Sequence, residues 1–63
     1  MFILKIKTGN EAFSPDPTHE IVRILRDTAQ KIEFYGLEGM LRMTGTLMDT
    51  NGAAVGKVTY KKD

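Results

Sequence analysis

The sequence predicts an α+β domain: order β-α-β-β, a three-stranded antiparallel sheet with strands in the order 2-3-1, and one long amphipathic helix packed on one face. Three observations carry this. The stretch from Asp16 to Leu37, DPTHEIVRILRDTAQKIEFYGL, has a helix start signal, an apolar stripe and a stop signal. The segments on either side alternate apolar and polar residues, the period of a half-buried strand. Asp49-Thr50-Asn51-Gly52 is a strong turn signal, placed to fold the last two strands into a hairpin.

The first strand is read over Met1 to Thr8. Phe2, Leu4 and Ile6 point one way, and Ile3, Lys5 and Lys7 the other. Thr8 to Pro15 is a loop opened by Gly9-Asn10, with Phe13 expected to be buried and to close one end of the core.

In the helix, Asp16 can accept first-turn N–H groups as N-cap, and Pro17 fits the first helical position. Glu20 places negative charge near the positive end of the dipole. Gly36 suits a left-handed stop, with Leu37 as the accompanying apolar contact. At 100° steps, Ile21, Leu25, Ala29 and Ile32 share the expected core face. Val22 lies on one flank; Ile24, Thr28 and Tyr35 lie on the other. Asp27 and Lys31 form a favourable i, i+4 pair. Phe34 breaks the pattern by falling on the polar side. Two readings follow: a helix-end aromatic covered by Leu37–Gly39, or an exposed anchor for a partner.

After Gly39, MLRMTGTLM reads as a second strand. Leu41, Met43 and Leu47 share one face, and Met40, Arg42, Thr44, Thr46 and Met48 the other. Gly45 on the inner face either admits the helix or marks a bulge. The third strand, Ala54 to Lys61, sets Ala54, Gly56, Val58 and Tyr60 against Val55, Lys57, Thr59 and Lys61. Two hairpin registers compete. A tight Asn51-Gly52 turn pairs Gly45 with Val58; a longer loop with Gly52 in a bulge pairs Leu47 with Val55. The burial pattern favours the first, because a slip of one residue exchanges the faces. The helix returns the chain, so the first two strands run the same way and the third fits between them. A right-handed crossover to an adjacent parallel strand is the alternative.

The chain has 63 residues, no cysteine and a net charge of +1. That length makes one domain of marginal stability, which often leans on a partner or a second copy. With no cysteine there is no disulfide framework. The charge is too small to imply nucleic acid or membrane by itself. No apolar run reaches transmembrane length, and MFILKIK lacks a signal-peptide core and cleavage site. The expected location is the cytoplasm, with no membrane partner.

Residues for catalysis are sparse. His19 is the single histidine and has no second histidine at i+4, and Ser14 lies outside any nucleophile-elbow context. The glycines form no phosphate loop, and no cofactor or metal is expected. A chain this small has little room for a pocket, so the expectation is a non-enzymatic protein. The charge distribution is more informative. Lys5, Lys7, Arg42, Lys57 and Lys61 fall on the expected outer sheet face with no carboxylate among them. Together with Phe34, Met40 and Met48 they form the candidate partner-binding set. A protein partner comes first. A homodimer centred on Ile3, Met40, Met48 and Val55 is a further expectation. A nucleic-acid-binding module is the alternative, opposed by the lack of an outer-face aromatic on which bases could stack.

The pieces IKTGNEAF, EIVRILRDTAQKIEFYG, EGML and DTNGAAVG resemble a group of very small phage and prophage proteins of unknown function. The likeness covers nearly the whole chain, and its motifs are caps, core and turn. It implies a phage accessory protein acting in the host cytoplasm, a class that includes binders of host-defence complexes such as anti-CRISPR proteins. It implies no active-site residue.

Overall fold

The alternating FILKI forms β1 (Phe2–Ile6) in the computed structural model, which describes all of residues 1–63. A 3-10 turn at Glu11–Phe13 then carries Phe13 into the core, where it is 2% exposed. α1 (Thr18–Met43) is kinked at Gly36 and is followed by the short β2 (Thr46–Met48) and the longer β3 (Ala54–Tyr60). β3 is the central strand, antiparallel to both neighbours. This is the expected α+β order: the hairpin fixes β3 beside β2, and β1 takes the remaining edge of β3.

The helix starts one residue later than the sequence suggests: Pro17 is the N-cap, without a side-chain cap bond, and Asp16 stands just outside it. The Asp16 Oδ1 accepts the Thr18 N–H at 3.0 Å and the Thr18 hydroxyl at 2.7 Å. Gly36 breaks the helix where expected, at φ 76° and ψ 162°, a conformation open to glycine and strained for other residues. The chain then departs from expectation. Residues 37–43 resume the helix, so the strand read over MLRMTGTLM shrinks to its last three residues. The reason is local. LEGMLRM holds straight-chain helix formers and no β-branched residue. Its Leu37, Met40 and Leu41 fall at i, i+3 and i+4, a helical spacing that period-2 reading conceals. Gly39 helps the refolding at the kink, since a Cβ there would sit 3.2 Å from Tyr35 Cβ.

The packed stripe of α1 is also rotated from the expected one. Glu20, Ile24 and Thr28 are buried, with Ile21 and Ile32 half-buried beside them. Leu25 is 46% exposed and Ala29 is exposed as well. The helix is thus rolled by about one residue, about 100°. Bonds from Glu20 and Arg23 to the hairpin hold it in that orientation. Ile24 therefore joins Phe13, Met40, Leu47, Val55 and Val58 in the core. The buried Thr28 hydroxyl donates to the Ile24 carbonyl at 2.7 Å, which removes the cost of an unpaired polar group there.

The hairpin uses both competing registers in succession. Asp49 N–H donates to the Ala53 carbonyl, and Gly52 takes φ 84° in a three-residue loop. Met48 therefore faces Ala54. A bulge at Val55 then restores the other alignment, with Leu47 opposite Gly56 and Thr46 opposite Lys57. The bulge turns Val55 inward, to 3% exposure, although strict alternation assigns it to the outer face. It also draws Gly56 against β1, where a Cβ would lie 1.9 Å from the Lys5 carbonyl oxygen.

Candidate interaction surface

The two carboxylates that the fold buries, Glu20 and Asp49, form a clamp at the hairpin end. The Glu20 carboxylate accepts two bonds from Arg23, at 3.0 and 2.9 Å, and the Thr50 N–H at 2.7 Å. Arg23 also donates to the Met48 carbonyl at 2.9 Å. Beside them Asp49, 5% exposed, accepts the Asn51 and Ala53 N–H groups and the Asn10 amide. The clamp thus ties the β1–α1 loop, the helix and the hairpin together. Arg23 holds the Glu20 carboxyl below the usual carboxylate range, against burial, which pushes it up. The Asn10 amide and backbone N–H groups do the same for Asp49. Sequence reading missed this clamp. Asn10 and Asp49 lie 39 residues apart, and no local pattern records their pairing.

The outer sheet face is basic at its centre. Lys5 lies directly opposite Lys57 across β1 and β3, with Ile3 opposite Thr59 alongside. Like charges in opposed positions repel, and the ion pairs of the chain lie elsewhere, at Met1–Asp63, Arg23–Glu20 and Lys31–Asp27. Lys7 continues from β1, its N–H donating to the Val55 carbonyl. Lys61 sits beyond β3, its N–H donating to the Met1 carbonyl. Arg42 does not belong to this face: it is exposed on the last turn of α1. Met40 is a second correction, being 2% exposed in the core. Met48 remains available at 48% exposure. With Met40 and Val55 both buried, the expected outer-face dimer contact loses two of its four members.

The larger feature is apolar. Six hydrophobic residues are buried, whereas Met1, Phe2, Ile3, Val22, Leu25, Phe34, Tyr35, Met43, Met48 and Tyr60 are large and exposed. Phe34 is the extreme case at 77%, its ring stacked on Tyr35 with centroids 4.8 Å apart. The cover expected from Leu37–Gly39 does not form, and the ring stands in solvent. Position on the helix explains the exposure: Phe34 falls on the polar side of α1, away from the packed stripe. No helix is long and apolar enough to cross a membrane.

Comparison of the chain with protein-family models, with curated proteins and with solved structures gives no match in any of the three. The chemistry of its surfaces therefore carries the functional reading.

Proposed function

We propose that this chain is a non-enzymatic accessory protein of phage type that acts in the host cytoplasm by binding another protein, with host-defence complexes as the partner class. One observation carries the binding reading: the chain exposes more large apolar side chains than it buries, led by the stacked pair Phe34 and Tyr35. Exposed aromatics of this kind are typical anchors of protein interfaces. The two buried carboxylates support a non-catalytic role, because the oxygens of Glu20 and Asp49 are all engaged in holding the fold together.

The test is affinity capture from a host lysate with the natural chain and with a Phe34→Ala/Tyr35→Ala variant. The expected result is one protein retained in stoichiometric amount by the natural chain and lost by the variant, at unchanged thermal midpoint. Equal retention by both chains, or none by either, sinks the reading.

The opposed Lys5 and Lys57 favour a second reading, a nucleic-acid surface on the outer sheet face. Phosphate binding would show affinity falling linearly with log salt, and Lys5→Glu/Lys57→Glu would flatten that slope. Tyr60 lies opposite Phe2, in the set that faces the helix, so the basic face has no aromatic platform. That weighs towards a protein partner.

A further inference from the structure

The two edges of the sheet differ. β2 is three residues long and is followed by the register shift, which makes it a poor template for another strand. β1 is five residues long, keeps a straight register with β3 throughout, and contains no proline. The Lys61 N–H bond to Met1 and the Lys7 N–H bond to Val55 fix which of its backbone groups face β3: those of the odd-numbered residues. Phe2, Leu4 and Ile6 therefore direct their N–H and C=O groups to the open edge. Their side chains are all apolar and face the helix side of the sheet.

We propose that β1 takes a second copy of this chain along this edge, antiparallel, with Leu4 opposite the partner's Leu4, so that two three-stranded sheets become one of six strands. Parity and charge select both the occupant and the register. Across an antiparallel junction the hydrogen-bonded pairs join outward-facing residues on both sides, so even numbers must meet even numbers. Centring on Leu4 pairs Phe2 with the partner's Ile6 and Ile6 with the partner's Phe2, and uses every open group of the strand. Centring on Lys5 would set two ammonium groups face to face, and centring on Ile3 leaves Ile6 unpaired. In the Leu4 register each Lys5 lies across from the partner's Ile3 and can lay its aliphatic stem there. Each Lys7 lies across from the partner's Met1, whose amino group holds the Asp63 carboxylate at 2.7 Å. The apolar set Phe2, Leu4 and Ile6 is thus complementary to itself in this register, and no Lys5 stands directly opposite another. The half-exposed Leu25 lies on the flank of α1 opposite the clamp residues Glu20 and Arg23. The β1 edge is separate from Phe34 and Tyr35, so either assignment can fail without the other.

A chain of this length can be made by chemical synthesis, and N-methylation of Leu4 removes the central outward N–H without altering a side chain. Sedimentation of the natural chain should show a monomer–dimer equilibrium. The methylated chain should keep its circular dichroism while its dissociation constant rises about tenfold or more, two bonds being lost per dimer. The chain has no cysteine, so engineered thiols report the register cleanly. A mixture of Ile3→Cys and Lys5→Cys chains should oxidise mainly to the mixed disulfide, since these positions face each other across a non-hydrogen-bonded pair. A natural chain that stays monomeric up to about 1 mM, a methylated chain that dimerises equally well, or dominant Lys5→Cys self-linkage would each overturn the proposal.

Discussion

At the hairpin end, α1 is tied down by Glu20, Arg23, Asp49 and Asn10, with Phe13 closing the core beside them. At the far end the same helix presents Phe34 and Tyr35 to solvent. The first end spends its polar groups on the fold itself. The second keeps large apolar surface that does nothing for the isolated chain. The difference separates a region that positions from a region that is positioned, and mutations at the two ends should behave accordingly.

The largest effect should come from the bulge that turns Val55 inward. Gly56→Val places a Cβ where the Lys5 carbonyl oxygen already lies at 1.9 Å, so β1 and β3 cannot keep their pairing. The variant should fail to fold, as judged by loss of cooperative thermal unfolding. A folded Gly56→Val chain would show that the bulge is not needed.

The next test sets neighbouring residues of one helix against each other. Ile24→Ala, at 3% exposure, should cost about 2–5 kcal/mol, which in so small a domain is most of its stability. Leu25→Ala, at 46% exposure, should cost well under about 1 kcal/mol in the monomer. Chemical denaturation at low concentration, below dimer formation, measures both. Equal losses would mean that the helix is not rolled towards β2.

The clamp should show itself in acid. Glu20 and Asp49 ionise more readily in the fold than in the unfolded chain, because both carboxylates accept several hydrogen bonds. Their contribution is complete above the unfolded values and is lost as pH falls through the lower folded values. Thermal midpoints should therefore drop on acidification below about pH 4.5, the ordinary range for such groups. Glu20→Gln should lower the midpoint at neutral pH and make the acid limb shallower. An unchanged acid limb would remove Glu20 from the clamp.

The smallest effect should be at the far end of the helical run. Phe34→Ser should leave stability within about 0.5 kcal/mol of the natural chain, since the ring is 77% exposed. A larger loss would mean that Phe34 serves the fold and not a partner.

Local chemistry determined much of this protein from the sequence alone. Asp16 bonds the first helical residue, Thr18, and Gly36 breaks the helix, because both effects act within one turn. Asp27 pairs with Lys31 at 3.2 Å because a helix brings them together wherever it lies. Alternation in FILKI named the faces of β1, and the β-α-β-β order with a hairpin left β3 the central position. The tertiary structure decided what depends on distant partners. Glu20 reaches Thr50, and Asp49 reaches Asn10, so the helix rolls and Leu25 yields its core place to Ile24. Residues 37–43 fit either period on paper. They became helix once Met40 could enter the core, and that removed Met40 and Arg42 from the sheet face. The bulge at Val55 arose where the loop register met the strand register, and a one-residue conflict between two segments is visible only once they are paired.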